Sequence, residues 1–138
     1  MHATHDKGDV AEAAVILDLT KRGFTIFKPL TQNTYADVVI IKGDRIETVQ
    51  IKFVSPSNST LKVPLRKQAS NTKEIRETYK YNQTPLDWIA VYCPAPEMVL
   101  YIPRKKWEGN GVGVNIRLTP TSNRQTRRIT IFTELIDL

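Results

Sequence analysis

Residues 36–53, which read ADVVIIKGDRIETVQIKF, contain two β-rich runs separated by a Gly-Asp pair. The first run, 36–41, is strongly β-branched and is typical of a buried strand, and the second, 45–53, alternates. If Gly43 and Asp44 form a two-residue turn, Lys42 faces Arg45. In that register Asp37 lies directly opposite Gln50, so the two side chains point to the same face of the sheet.

Lys52 belongs to the same polar group. It follows Gln50 by two residues and therefore lies on the same face, diagonal to Asp37. The remainder of this face is mostly apolar and consists of Val39, Ile41, Ile46 and Thr48. The hairpin thus predicts a cluster of three polar side chains at one end of an apolar surface, which is typical of a binding or catalytic site.

A helix is predicted over residues 7–22, with Asp6 as its N-cap and Gly23 ending it. Glu12 falls on the same helix face as three apolar residues, Val15, Ile16 and Leu19. We expect this face to cover the polar end of the hairpin and to bring Glu12 to it. The alternative is that Glu12 forms a structural ion pair or extends to solvent.

Further strands are predicted at 24–28, 88–92, 98–102 and 114–118. Residues 54–72 are expected to be a loop interrupted by the apolar stretch 61–65, residues 73–81 a short basic helix, and 129–136 an apolar segment of ambiguous type. This order favours an α/β (α+β) fold with a central mixed β-sheet flanked by helices. We expect one domain over 1–138, with a core at 7–103, a basic segment at 61–81 and a C-terminal extension at 104–138.

The composition excludes several kinds of chemistry. The chain has 138 residues with one cysteine, Cys93, and two histidines, His2 and His5. A disulfide within the chain and a cysteine-based zinc site are therefore excluded, and nucleophilic catalysis with histidine would depend on the first five residues. No membrane span or targeting segment is predicted, so we expect a cytoplasmic or nucleoid-associated protein.

Basic residues exceed acidic ones by 20 to 14, which gives a net charge of +6. The excess is concentrated in 61–81, where six basic side chains stand against two acidic ones. A basic segment of this kind favours a polyanion such as DNA as partner, although charge runs are often only solvated surface. The candidate phosphate contacts are Lys62, Arg66, Lys67, Lys73, Arg76 and Lys80, and Gln68 is a candidate for reading base edges.

The residue types of the polar cluster fit a divalent cation. Asp37 offers a carboxylate oxygen and Gln50 an amide oxygen, both hard ligands suited to Mg²⁺. Glu12 would hold a metal-bound water or a second metal, and Lys52 would orient a water or stabilise charge on a phosphate. We interpret the set as a phosphodiester hydrolysis site; the alternative is that these side chains are ordinary polar strand ends.

This arrangement resembles the PD-(D/E)XK nuclease superfamily: Glu12 on a first helix, Asp37 in YADVV, and Gln50 and Lys52 in VQIK. It is similar in particular to the cyanobacterial group I intron homing endonucleases, over about residues 7–125. The resemblance implies a restriction-endonuclease-like fold and cleavage of double-stranded DNA with Mg²⁺, for which Mn²⁺ would substitute. It assigns catalysis to Glu12, Asp37, Gln50 and Lys52. Tyr35-Ala36 replaces the usual proline and Gln50 the usual acid, which removes one negative charge.

Two other functions remain open at this point. One is a structure-specific nuclease such as a Holliday junction resolvase, and the other is a DNA-binding module whose catalytic site has decayed. Because one chain carries one site and a duplex has two strands to cut, we expect a homodimer or homotetramer. The apolar tail 129–138 is a candidate for part of that interface.

Overall fold

The computed structural model of the protein describes residues 3–68, 78–118, 130–131 and 138. Its elements, in chain order, are α1 (Ala3–Lys21), β1 (Thr25–Phe27), β2 (Val38–Lys42), β3 (Arg45–Phe53), β4 (Thr60–Pro64), β5 (Arg66–Gln68), β6 (Thr78–Lys80), a 3-10 turn (Tyr81–Gln83), β7 (Trp88–Pro94), β8 (Glu97–Pro103), α2 (Arg104–Trp107), β9 (Gly113–Arg117) and β10 (Thr130–Ile131).

The central sheet has five strands in the order β1-β2-β3-β7-β8. Strands β3 and β7 are parallel, and the other three neighbouring pairs are antiparallel. The predicted mixed sheet with helices is therefore confirmed. The long connection between β3 and β7 allows the parallel pairing, because parallel neighbours need a crossover.

The predicted hairpin register is also confirmed. Lys42 pairs with Arg45 and Val38 with Val49 across β2 and β3. The regular pairing ends at Val38 and Val49: Asp37, just before β2, donates its amide to the Val49 carbonyl at 2.9 Å, so it is not paired with Gln50 in the ladder as predicted. The Gly-Asp turn thus sets which side chains meet at the far end of the hairpin.

Helix α1 was predicted to cover the sheet face that carries Gln50, but it packs on the opposite face. Its buried side chains Val15 and Leu19 share a core with Val38, Ile40 and Val49, which alternate with the Gln50 face. The expectation that α1 covers the Gln50 face was wrong. Both faces of β2 are apolar, so the alternation of polar and apolar residues does not tell which face receives the helix.

The Gln50 face packs instead against a second sheet, of strand order β10-β9-β4. Leu61, Val63 and Leu65 are fully buried or nearly so on its inner side, and α2 adds the fully buried Trp107 to the same core. The predicted loop over 54–72 was therefore wrong for β4 and β5. The period-two burial of 61–65 is a strand signal, which the surrounding serines and prolines obscured.

The predicted helix over 73–81 was wrong where it can be checked, since Thr78–Lys80 is a strand that pairs antiparallel with β5. Residues 73–77 lie outside the described residues. Pairing with a neighbouring strand outweighs weak local helix propensity in such a short segment. Within the ambiguous segment 129–136, Thr130–Ile131 forms a short strand parallel to β9.

Helix α1 ends as predicted but begins earlier. The amides of Gly23 and Phe24 donate to the carbonyls of Thr20 and Leu19, and Gly23 has a φ of 90°, which closes the helix in a Schellman motif. The start at Ala3 places Asp6 inside the helix, so its predicted N-cap role was wrong. Among the described residues, no helix combines the length and apolarity needed to cross a membrane.

Tyr101 ties α1 to the sheet. Its hydroxyl donates to Asp18 at 2.5 Å, and the guanidinium of Arg22 lies over its ring. Burial raises the pKa of Tyr101 well above its usual value, and the bond to Asp18 acts in the same direction. The phenol therefore stays neutral and holds the helix over the face that carries Val49.

Candidate active site

Asp37 is held rigidly at the entry to β2. Its Oδ2 accepts a hydrogen bond from the Ile51 amide at 2.8 Å and another from Gln50 Nε2 at 2.7 Å. The first bond anchors the carboxylate to β3, and the second confirms the predicted contact between the side chains of Asp37 and Gln50. Two donors on a single oxygen fix the direction of this carboxylate and stabilise its charged form.

Gln50 is the buried polar residue of the site, with only 5% of its surface exposed. Since Nε2 is used by Asp37, the amide is oriented with Oε1 on its other side. Oε1 is buried without a hydrogen-bond partner. Burying an unpaired acceptor costs free energy unless a bound group, such as an ion, supplies the partner.

Asp37 and Gln50 line a cleft of about 450 Å³. The N-terminal half of α1 forms its opposite wall and contributes Glu12, as predicted. The cleft is completed by Gly8, Asp9, Ala11, Ile51 and Phe53. The structure thus brings Glu12, Asp37 and Gln50 together around one space, although α1 reaches it from the opposite face of the sheet.

Asp9 is a cleft residue that the sequence reasoning did not single out. It precedes Glu12 by three residues, and this spacing puts both carboxylates on one side of a helix. It is exposed, whereas Glu12 is half-buried. The three-residue spacing of the two acids on α1 was the available signal for it.

Lys28, just after β1, is the second residue that was missed. Its ammonium forms an ion pair with Glu12, so the alternative of an ion pair for Glu12 is realised. The hydrogen bond to Glu12 raises the pKa of Lys28, and the charges of Asp37 and Asp9 act in the same direction. The lysine follows strand β1 and is not part of the helix, so helix periodicity contained no signal for it.

Lys52 lies further along the same strand face and is not among the residues that line the cleft. Its Nζ donates to the Arg66 carbonyl at 3.2 Å and lies 5.0 Å from the centre of the Tyr81 ring. This lysine therefore connects the end of β3 to the first residue of β5. Lys52 was predicted to cluster with the side chains of Asp37 and Gln50; it shares the strand face of Gln50, but its ammonium is directed toward the basic segment and not into the cleft.

The donor set of the cleft fits a hard divalent cation. Among the described residues, no group of three or more His, Cys, Asp or Glu is arranged to hold a metal. The carboxylate of Asp37 and the partnerless Oε1 of Gln50 nevertheless supply oxygen donors from two side chains in contact with each other, and Glu12 adds a third side chain on the facing wall. Oxygen donors of this type suit Mg²⁺ or Mn²⁺.

The predicted DNA-contact residues are distributed over two strands and a segment that is not described. Lys62 on β4 and Arg66 on β5 are exposed. Lys67 and Gln68 belong to β5, and Lys80 belongs to the paired strand β6. Lys73 and Arg76 lie outside the described residues. Strands β5 and β6 therefore form a two-stranded ribbon that begins where Lys52 bonds Arg66.

The mixed sheet flanked by helices matches the restriction-endonuclease-like fold. It carries an acid before one strand, an amide and a lysine on the next, and a glutamate on the first helix. The model of the PD-(D/E)XK endonuclease family matches residues 2–135, and the chain belongs to this family. The fold is similar to the solved structure of a bacterial homing endonuclease, I-Ssp6803I, with a TM-score of 0.65 and 25% identity, covering 91% of this chain and 84% of that one. No curated protein matches the sequence.

Proposed function

We propose that this nuclease hydrolyses phosphodiester bonds of double-stranded DNA at specific sites and requires a divalent cation, with Mg²⁺ as its metal and Mn²⁺ as a substitute. The observation that carries the proposal is the buried Gln50 Oε1, which has no partner beside the fixed carboxylate of Asp37. A buried acceptor beside an anion would be unfavourable on its own, and a cation satisfies both groups at once.

Asp37, Gln50 and Glu12 would hold the metal. When bound, it would act as a Lewis acid on the phosphate and lower the pKa of a bound water. The protein's own part is to position the ligands: the Ile51 amide and Gln50 Nε2 hold Asp37, and Asp37 orients the Gln50 amide. The Lys28 ammonium balances the charge of the Glu12 carboxylate within the cleft.

Lys52 would serve the phosphate rather than the metal. An ammonium near the scissile phosphate stabilises the negative charge that develops in the transition state. Its bond to the Arg66 carbonyl joins the site to the β5–β6 ribbon. We assign the catalytic roles to Glu12, Asp37, Gln50 and Lys52.

The β5–β6 ribbon is the proposed DNA-reading element. The major groove is about 12 Å wide and admits a two-stranded ribbon. Because the ribbon begins at the residue that Lys52 contacts, DNA bound along it would pass close to the site. The positive side chains would contact phosphates, and Gln68 would contact a base edge. A homodimer or homotetramer would hold the DNA so that both strands can be cut.

The test is incubation of the protein with mixed genomic DNA and Mg²⁺, followed by mapping of the new ends. We expect cuts at a small set of related sequences and none when EDTA replaces Mg²⁺. Cleavage of four-way junctions without sequence preference would favour a junction resolvase. Binding without any nicking at all Mg²⁺ and Mn²⁺ concentrations would favour a DNA-binding module.

A further inference from the structure

The outer face of α1 is apolar where a solvent-facing helix surface is normally polar. Val10 and Leu17 expose 48% and 56% of their surface, and Ala13 is also exposed. At 100° per residue these positions lie opposite Ala11, Val15 and Leu19, which face the sheet. The outer stripe, as we name it, comprises Asp6, Val10, Ala13, Ala14, Leu17 and Lys21.

The outer stripe is palindromic in its spacing. A two-fold axis between Ala13 and Ala14, perpendicular to the helix, would place Val10 against the partner's Leu17 in an antiparallel pair. The same axis would place Asp6 against the partner's Lys21, at both ends of the contact. Each apolar residue therefore meets an apolar residue, and each charge meets its opposite.

We propose that α1 pairs antiparallel with α1 of a second copy of this chain through the outer stripe. The complementarity of Asp6 and Lys21 selects a second copy as the occupant, because a self-complementary patch is what a two-fold interface requires. The alanines at the centre allow the helices to approach closely, within the 8–10 Å usual for packed helices. The stripe extends from Asp6 to Lys21 of α1, which gives a contact line of about 24 Å.

This interface leaves the candidate active site accessible. Three of the four α1 residues that line the cleft, Gly8, Ala11 and Glu12, lie on the side that faces the sheet, and Asp9 lies between that side and the outer stripe. The pairing is therefore independent of the proposed function, and it differs from an interface formed by the tail 129–138. It supplies one of the contacts that a homodimer or homotetramer would use.

Sedimentation equilibrium of the full chain tests the pairing. We expect Leu17→Glu to weaken self-association at least thirtyfold, since it buries a carboxylate in an apolar contact twice per dimer. Ile46→Glu is the matched control, because Ile46 is a more exposed apolar residue, at 68%, outside the stripe. A wild-type monomer at all concentrations, or equal masses for Leu17→Glu and wild type, would overturn the proposal.

Charge exchange distinguishes pairing from misfolding. Asp6→Lys and Lys21→Asp should each weaken association by about threefold, and the double variant should restore the wild-type value. A double variant that is weaker than both single variants would contradict the antiparallel register. Separately, Ala14→Cys should crosslink two copies with a short bismaleimide, and Asn58→Cys, which lies outside the stripe, should not. The native Cys93 is buried and therefore adds no crosslink of its own.

Discussion

Two carboxylates contact strand β3 from opposite neighbours and are bound in nearly the same way. Asp37 accepts from the Ile51 amide and from Gln50 Nε2 at 2.8 and 2.7 Å. Asp87, just before β7, accepts from the Thr48 amide at 2.8 Å and from the Thr48 hydroxyl at 3.1 Å. By hydrogen bonding alone, both would be called structural residues that fix β3 to an adjacent strand.

The two carboxylates differ in whether the side chain that bonds each of them has its own hydrogen bonds satisfied. The partner of Asp87 is a hydroxyl that in turn accepts from the Asp87 amide, so the pair closes on itself. The partner of Asp37 is an amide whose oxygen is buried without a hydrogen-bond partner, at the edge of a cleft that also holds Glu12. An incomplete network next to a cleft indicates a ligand site, whereas a complete one indicates support of the fold.

The strongest test compares Asp37→Asn with Asp87→Asn. In both variants an oxygen remains to accept the backbone hydrogen bond, and a negative charge is lost. We expect Asp37→Asn to slow DNA cleavage by at least a hundredfold and Asp87→Asn by less than about threefold, because only Asp37 would ligate the metal. Single-turnover cleavage of a plasmid that carries a mapped site measures both rates.

Thermal unfolding supplies the control for that pair. Loss of charge at Asp87 should lower the free energy of unfolding by about 1–2 kcal/mol, because the bonds from Thr48 lose their charged acceptor. Equal losses of cleavage in the two variants, each in proportion to its loss of stability, would make Asp37 a structural residue like Asp87.

Lys52→Met tests whether the lysine acts on the phosphate rather than on the metal. We expect cleavage to fall by about tenfold to a hundredfold while the dissociation constant for Mn²⁺ changes less than twofold, since Nζ is directed to the Arg66 carbonyl. Lys42→Met is the matched control, because Lys42 bonds the Arg22 carbonyl at the end of α1. A shift in Mn²⁺ affinity as large as the loss of cleavage would refute the division of roles.

Gln50→Glu adds a negative charge beside Asp37. It should tighten Mn²⁺ binding by about tenfold, since a charged ligand replaces a neutral one. Isothermal titration calorimetry without DNA measures this change. Gln83→Glu adds the same charge on the exposed 3-10 turn and should leave the affinity unchanged. Equal affinities for the Gln50 variant and wild type would show that Gln50 is not a ligand.

Lys28→Met should produce the smallest effect, an increase in Mn²⁺ affinity of about threefold. The Lys28 ammonium neutralises Glu12 in the cleft and so competes with a metal for the same carboxylate. Titration with Mn²⁺ at several salt concentrations measures the change, with Lys42→Met again as control. Weaker binding in Lys28→Met would mean that the lysine supports the metal site instead of competing with it.

The hairpin was predictable because its turn and its pairing are local. The Gly-Asp turn sets the register from Lys42 and Arg45 to Val38 and Val49, and the side chains of Asp37 and Gln50 meet directly beyond its last pair. Glu12 was found because a carboxylate on the apolar side of a helix requires an explanation. These inferences depend on periodicities of 3.6 and 2 residues, which a sequence displays directly.

The parts that were missed depend on contacts between distant segments. Which face of the sheet α1 covers is decided by competition with the β4–β9 sheet, and neither element alone specifies it. Lys28 meets Glu12 only because β1 returns beside α1, and the direction of the Lys52 side chain depends on where β5 begins. No local pattern records these long-range pairings.

The central claim is that Asp37 and the Oε1 of Gln50 hold a divalent cation, and anomalous diffraction from crystals soaked in Mn²⁺ tests it most directly. We predict a peak within about 2.5 Å of both oxygens, absent from crystals of Asp37→Asn. A map without density in this cleft at saturating Mn²⁺, or with the ion bound beside Asp87 instead, would contradict the claim.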